Sequence, residues 1–408
     1  MRDTDLYRHL LGLLEPWTVD RVELNIAERR VDVWATHPAG VMWRCPECDY
    51  TGPSRDHAEE RTWRHLDSCH FQTYLHARIP RVTCPTHKVR QVRVPWAEPD
   101  ARFTRLFERL AIDVLLHCDV SGAAAILGLS WDEAWGIQAR AVKRGQARKE
   151  ARVVAQIGVD EKAAAKGHTY LTLVCDLRAG TVEYLAEDRK QASLDSYFMG
   201  LSDAQRAGIE AVAMDMWEPY IQSVHAHVPR AEEKLVFDRY HIMAHMGKAV
   251  DTVRKQEHRA LGAAGDATLV GSKYLWLYAG DNLPEKHRER FAILKALNLK
   301  TGRAWAIKES LRELWGQGTP QQAAAFWTRW FWWATHSRLA PIRKVAWLLK
   351  RHWSNIVTYV QHRITNAVSE GLNSKIQTIK KWAYGFRNRD HFKIAIFFHC
   401  GGLDLYPR

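Results

Sequence analysis

Long apolar runs are missing from this chain. No stretch approaches the roughly 20 consecutive apolar residues that a membrane-crossing helix needs. The richest aromatic segment, Phe326-Trp327-Thr328-Arg329-Trp330-Phe331-Trp332-Trp333, is broken by an arginine. No apolar signal core follows Met1-Arg2-Asp3-Thr4-Asp5. Cysteine is scarce and odd in number, seven in 408 residues, so complete disulfide pairing is excluded. Four of the seven, Cys45, Cys48, Cys69 and Cys84, crowd the N-terminal quarter, which in a cytosolic chain points to metal binding. The expectation is a soluble cytoplasmic protein. Acid is also outnumbered: 46 Asp and Glu against 59 Lys and Arg leave a formal net charge of +13.

That basic balance suits a partner rich in phosphate, because Lys and Arg release counterions from nucleic acid. Tryptophan is abundant at 18 residues; most belong in a core, but some can stack on unpaired bases. A length of 408 residues corresponds to about two to four domains, and at 46% hydrophobic the chain can bury a large core.

Residues 1–100 read as short strands and turns, with period-two alternation in Val22–Ile26 and Arg30–Trp34. Cys45-Pro46-Glu47-Cys48 is followed by Cys84-Pro85-Thr86-His87. Two such knuckles together make one tetrahedral Zn²⁺ site from Cys45, Cys48, Cys84 and His87. Cys69 with His65 and His70 is a competing ligand source, and unligated loop residues are the plain alternative. The zinc is expected to staple a module that lacks a core of its own.

Residues 101–150 read as helices. Phe103, Leu106, Phe107 and Leu110 recur at helical spacing, Ser121–Gly128 is a short helix ending in glycine, and Ser130-Trp131-Asp132-Glu133 is a capping box. The third helix ends in Arg140, Lys143, Arg144, Arg148 and Lys149. This is helix-turn-helix grammar, with Arg140, Lys143 and Arg144 as DNA contacts; the bland alternative is a helical linker with a solvated basic face.

From 151 the period changes. Val153–Val159, Thr169–Cys175 and Thr181–Leu185 read as strands, with a turn at Ala179-Gly180; a helix over Ser193–Ser202, a strand at Ile209–Met214, a helix at Trp217–His227 and a strand at Lys234–Phe237 follow. The order βββαβαβ is that of an RNase H-like domain, in which the first and fourth strands lie parallel and side by side. Asp160 closes the first apolar run and Asp215 the fourth. Taken singly, Asp160 could be a turn residue and Asp215 a helix cap. Together on adjacent strand ends they can hold divalent cations. Residues 251–355 read as an all-α, Trp-rich insertion. The final segment, 356–408, returns to the catalytic domain with a helix over Thr365–Lys375, in which Asn366, Glu370, Asn373 and Gln377 share one side and Val368, Leu372, Ile376 and Ile379 another. Glu370 is thereby aimed at the aspartates. Lys375, Lys381 and Arg387, interleaved with Trp382, Tyr384 and Phe386, suit a DNA backbone.

With these stretches in hand the chain resembles the ISL-three insertion-sequence transposases, of the DDE class. The likeness is carried by the Cys45–Cys48 knuckle, Arg61–Asp67, Pro80–Pro85, Val94–Pro99, Gly158–Glu161, Met214–Tyr220, Phe237–His241, Ser369–Gln377 and Ala383–Asn388. The resemblance implies that Asp160, Asp215 and Glu370 are the acidic triad. It implies a zinc module at 1–100 and a helix-turn-helix at 101–150 that bind terminal inverted repeats. It also implies a catalytic domain at 151–250 and 356–408 around the insertion. Asp238-Arg239-Tyr240-His241 is similar to a D-x-x-H signature in which His241 supports the site, unless it is a helix-start histidine satisfied in the core. Trp305 and Trp315 are candidates for stacking on a flipped base. The implied chemistry uses two Mg²⁺ (or Mn²⁺) ions for strand cleavage and transfer, with transposon-end and target DNA as partners, a homodimer on DNA, and a place beside the bacterial nucleoid. An RNase H-like nuclease that cleaves without joining, or a zinc and helix-turn-helix regulator without catalysis, are the competing readings.

Overall fold

The computed structural model describes residues 2–165, 169–364 and 366–408; Thr365, which the sequence reading placed in the last catalytic helix, lies outside them. The chain divides into two compact units, 1–149 with 379–408, and 150–378.

The first unit opens with α1 (Asp3–Leu10) and a sheet of β1 (Thr18–Asn25), β2 (Arg30–Thr36), β3 (Met42–Arg44), β4 (Thr51–Ser68), β5 (Phe71–Cys84) and β6 (Lys88–Gln91). The order is β1-β2-β5-β4-β3, with β6 on the free part of β5. The expectation of a coreless module is corrected here. Trp17, Trp43, Trp63 and Trp96 meet edge-on or tilted at centroid distances of 4.8–5.5 Å, and with Val33, Leu75, Ile79 and Val82 they form a buried cluster. Four indoles supply enough apolar area for a small module to close on itself. Arg64 is buried too, between Tyr74 and Phe107, so the Arg61–Asp67 stretch serves packing.

Three helices follow: α2 (Arg105–His117), α3 (Val120–Leu127) and α4 (Trp131–Arg148). Asp119 caps α3, Gly128 ends it in the left-handed region at φ 64°, and Ser130 with Glu133 forms the expected capping box. Phe107, Ile112, Leu115, Ile137 and Val142 form their core, joined by Phe398 and Leu405.

The second unit is built on β7 (Gln156–Ala165), β8 (Thr169–Asp176), β9 (Thr181–Glu187), α5 (Gln191–Met199), α6 (Asp203–Ala207), β10 (Ala211–Met214), α7 (Glu218–His227), α8 (Ala231–Lys234) and β11 (Leu235–Phe237). The sheet order is β11-β10-β7-β8-β9. β7, β8 and β9 are antiparallel neighbours, and β10 runs parallel to both β7 and β11. Helices α9 (Arg239–Ala263), α10 (Lys273–Leu277), α11 (Glu285–Ala296), α12 (Lys300–Leu311), α13 (Pro320–His336), α14 (Ala340–Arg351) and α15 (Trp353–His362) form the helical part. Their core is continuous with that of the sheet. The boundary expected at 250/251 falls inside α9, which runs unbroken from the end of β11.

The last helices are α16 (Ala367–Trp382) and α17 (Arg389–Cys400). Here the expected domain 356–408 is corrected: residues 379–408 group with the first unit. Phe398 and Leu405 bury themselves among α2–α4, and Arg144 and Arg148 hydrogen-bond the carbonyls of Leu405 and Tyr406 at 2.5 and 2.6 Å.

Candidate metal centres and nucleic-acid interface

Register brings the acids together. Ala213 on β10 faces Gly158 on β7, and Met214 faces Phe237 on β11. Counting two residues on from the first pair gives Asp160 beside Asp215; counting one on from the second gives Asp215 beside Asp238. Neighbouring strands lie about 4.8 Å apart, so three carboxylates line up across three strands. Asp160 does not end its strand, as the sequence reading had it. β7 stays paired with β8 as far as Ala165, and Asp160 sits at its middle.

Helical spacing supplies the rest. His241 lies one turn beyond Asp238 and reaches back to Asp215, with Nδ1 2.7 Å from Oδ2. Glu370 is in the first turn of α16, and Asn373 a turn later donates from Nδ2 to Asp160 Oδ2 at 2.5 Å. The Glu161 backbone N–H donates to the other Asp160 oxygen at 2.7 Å. Lys162 Nζ donates to the Asn373 carbonyl at 2.8 Å. α16 is seated by Ser369, whose Oγ lies 3.0 Å from Cys175 Sγ on β8. Gly158 lies beneath, where an added Cβ would collide with Ser369, Leu177 and Cys175.

The electrostatics are those of crowded acid. Burial pushes the Asp160 carboxyl up to about 6; the Glu161 amide opposes this and the charge of Asp215 adds to it. Burial raises Asp238 as well, the Tyr240 amide and His241 oppose, and Asp215 and Glu370 add to the rise. Burial lowers the His241 pKa, but its hydrogen bond to Asp215 and the surrounding acid charges outweigh that, and the net shift is upward. Among the described residues, Asp215 Oδ1, Asp238 Oδ2, Asn373 Oδ1 and both side-chain polar atoms of Asn366 are buried without a hydrogen-bond partner. Acceptors left unpaired in a low-dielectric site are costly, and a hard divalent cation is the partner that such oxygens take. Atoms of Asp215, Asp238 and His241 lie within 4.8 Å of one another; Asp160 and Glu370 flank this trio. Sequence reasoning met Asp238 only as the first residue of the D-x-x-H signature and Asn366 and Asn373 only as sharing the side of Glu370, and named none of the three as a site residue. The strand-end position of Asp238 was the available signal.

The zinc knuckles converge as expected. Cys48 Sγ lies 3.5 Å from Cys84 Sγ, and His87 Nδ1 lies 3.8 Å from Cys45 Sγ and 3.6 Å from Cys84 Sγ. The edge of a tetrahedron with Zn–S bonds of about 2.3 Å is about 3.8 Å, so these four atoms fit a zinc ion without rearrangement. Burial opposes ionisation of Cys84, but amide and side-chain donors of the His87 turn outweigh it and hold the thiol at about 6. Glu47, which accepts a hydrogen bond from Arg90, stands with Oε2 3.7 Å from His87 Nε2, close enough to act on the imidazole by charge but not by a hydrogen bond. The competing ligands are elsewhere: Cys69 is exposed at the β4–β5 turn, and His65 is buried against Thr104 Oγ1 at 2.9 Å.

Of the basic residues expected on DNA, Arg144 is withdrawn. Its guanidinium is 8% exposed and pairs with Glu98 at 2.6 Å and with the buried Glu108 at 2.8 Å. A buried carboxylate needs that charge more than a phosphate does. Arg140 also pairs with Glu108, at 2.6 Å, but stays 37% exposed. Lys143, Lys375, Lys381 and Arg387 are on the surface. Trp305 and Trp315 are corrected likewise: both are core residues of the helical part, because Trp305 packs on Phe291 and Trp315 lies under Arg239.

An acid cluster on a mixed sheet in one unit, and a zinc knuckle with a helix-turn-helix in the other, are the features of a metal-dependent enzyme acting on DNA. Comparison with known proteins makes this particular. A family model described as transposase matches residues 157–396, the helix-turn-helix domain of transposase family ISL3 matches 92–142, and the zinc-finger of the IS204/IS1001/IS1096/IS1165 transposases matches 42–87. The chain belongs to the ISL3 transposases, DDE enzymes of insertion sequences that cleave and transfer DNA strands. It is 26% identical to the transposase for insertion sequence element IS1557 of Mycobacterium tuberculosis, over 95% of this chain and 93% of that one. It is also 26% identical to the transposase for insertion sequence element IS1001 of Bordetella parapertussis, over 95% and 96%. No helix among the described residues is long and apolar enough to cross a membrane.

Proposed function

We propose that Asp160, Asp215 and Glu370 are the catalytic acids of this transposase, that they hold two Mg²⁺ (or Mn²⁺) ions, and that Cys45, Cys48, Cys84 and His87 hold a structural Zn²⁺. The observation that supports the reading is the row of carboxylates Asp160, Asp215 and Asp238 across adjacent strands, in which Asp215 Oδ1 and Asp238 Oδ2 are buried without a hydrogen-bond partner. The strand order β11-β10-β7-β8-β9, with one antiparallel and one parallel half, supports an RNase H-like catalytic domain. Bound there, the cations supply a lowered pKa for water and charge stabilisation for the attacking and leaving oxygens. His241 holds one oxygen of Asp215 and leaves the other directed inward; Asn373 and the Glu161 amide fix Asp160 in one rotamer. In the reaction, water attacks the phosphodiester at the element's end and a 3′-OH leaves. That 3′-OH then attacks a target phosphodiester in line, joining the element's end to the target 5′-phosphate and releasing the target strand's own 3′-OH, so no protein–DNA ester forms. Arg140, Lys143, Lys375, Lys381 and Arg387 neutralise phosphates along the way. Two ends must be held together, which suits a homodimer on DNA, in the cytoplasm beside the nucleoid.

The test is incubation of purified protein with labelled terminal-repeat DNA and Mg²⁺, beside Asp215→Ala. Nicking at the end followed by joining to a second DNA, both lost in the variant, is the expected result. Cleavage without joining would leave only a nuclease, and specific binding without cleavage only a regulator.

A further inference from the structure

A cavity of about 520 Å³ in the first unit is unused by this mechanism. It lies between α3, α4 and the connection from α16 to α17. Its size is that of a small-molecule site, roughly 300–1,000 Å³. A duplex is far too large for it. Trp131 and Trp135, one turn apart on α4, present rings 8° from parallel with centroids 5.7 Å apart, and His391 lies 4.2 Å from Trp135. Trp382 and Phe386 line it too. Trp131 and Trp382 are 43% and 44% exposed, and Tyr384 at the rim is 99% exposed.

Gln138 also lines the cavity. It is 3% exposed, and its Oε1 has no hydrogen-bond partner among the described residues. A buried acceptor of this kind calls for a ligand that brings an N–H with it. The acid of the lining, Asp119, is engaged, accepting from the Gly122 amide at 2.7 Å to cap α3. Arg387 also lines the cavity, and Lys381 is one residue from Trp382.

We propose that this cavity takes one unpaired nucleobase of the DNA that the unit binds. A base has two faces for the indole shelf and an edge N–H for Gln138, and its phosphates lie where Arg387 and Lys381 can meet them. An apolar side chain of a protein partner satisfies the shelf but not Gln138. Every base carries an edge N–H, so the cavity distinguishes a base from no base and discriminates weakly among the four. The inference rests on the DNA-binding reading of this unit, and the experiment separates the two.

Full-length protein is titrated with three fluorescein-labelled 20-mer duplexes: one fully paired, one with a single unpaired 2-aminopurine, one with an abasic site in its place. The unpaired base is expected to tighten binding about tenfold to a hundredfold over the abasic duplex, with quenching of 2-aminopurine. Trp382→Ala and Gln138→Met are expected to remove that difference while leaving the paired duplex bound as before. Trp131→Ala serves if Gln138→Met does not fold. Equal affinity for the base-containing and abasic duplexes, or a difference that survives in the variants, overturns the proposal. So does self-association that Trp382→Ala abolishes without any quenching, which would make the cavity a face between copies. Failure to bind all three duplexes defeats the DNA-binding reading instead.

Discussion

The two candidate cation sites of this chain differ in how completely the fold finishes them. Around Cys45, Cys48, Cys84 and His87 the ligand atoms lie within 4.8 Å of one another, three of the pairs at tetrahedral edge distances, and a carboxylate stands 3.7 Å from the imidazole. Around Asp160, Asp215 and Glu370 the carboxylates gather, yet several buried oxygens keep unused lone pairs and part of the cluster faces solvent. A closed site spends its coordination on the fold; an open one keeps positions for a substrate. The same distinction separates the supports. The knuckles hang on tight turns of a module with its own tryptophan core, whereas the acids come from three strands and a helix far apart in sequence.

The largest expected effect breaks the open site alone. Asp160→Asn should lower strand cleavage by about three orders of magnitude or more while end binding persists, as read by cleavage and gel shift on the same labelled DNA. Loss of end binding would mean that Asp160 is structural. Breaking the closed site should do the reverse. Cys84→Ser is expected to drop bound zinc from one equivalent to none and to lower thermal stability by several kcal/mol. End binding should fall with it, while the indole core keeps the module from unfolding altogether. Zinc retained at one equivalent would show that the ligand set is wrong.

A smaller effect tests the brace of the open site. His241→Asn removes the charge beside Asp215 and should reduce cleavage about tenfold to a hundredfold, with a higher Mg²⁺ concentration needed for half-maximal rate. An unchanged Mg²⁺ requirement would place His241 outside the site. The smallest effect is on stability. The Asp160 pKa rises from 3.8 to about 6 on folding, so the folded state holds that proton more tightly. Its stabilising contribution is complete below about pH 4 and is lost as pH climbs through about 6. In chelator, Asp160→Asn should therefore melt a few degrees above the parent at pH 7.5, with the gap closing near pH 4. A parent that melts as high as the variant at pH 7.5 would sink this account.

Much of both sites was legible in the sequence, for different reasons. The knuckles are local, and two C-x-x-C/H turns announce a shared ion whatever lies between. The acids were legible through topology: once β7 and β10 are taken as parallel neighbours, Asp160 and Asp215 must meet. Asp238 was visible only as part of the D-x-x-H signature, because its place beside Asp215 follows from the register of β10 on β11, which periodicity does not give. Arg144, Trp305 and Trp315 misled for the opposite reason. Side-chain type and spacing made them surface candidates, but a buried partner, Glu108, and a core continuous with the sheet took them in. That residues 379–408 group with the first unit was not legible, because Phe398 and Leu405 find their apolar partners among α2–α4, a contact with no local signature.

Gly158 carries a consequence for how such an enzyme can be silenced. The bare backbone there leaves room for Ser369 of α16, so one added methyl group, which would collide with Ser369, Leu177 and Cys175, is expected to displace the helix bearing Glu370 while changing no acid, no zinc ligand and no residue of the helix-turn-helix. A copy with alanine at this position would still occupy the ends of its element without cutting them. It would act as a competitor of its active siblings, turning loss of activity into interference.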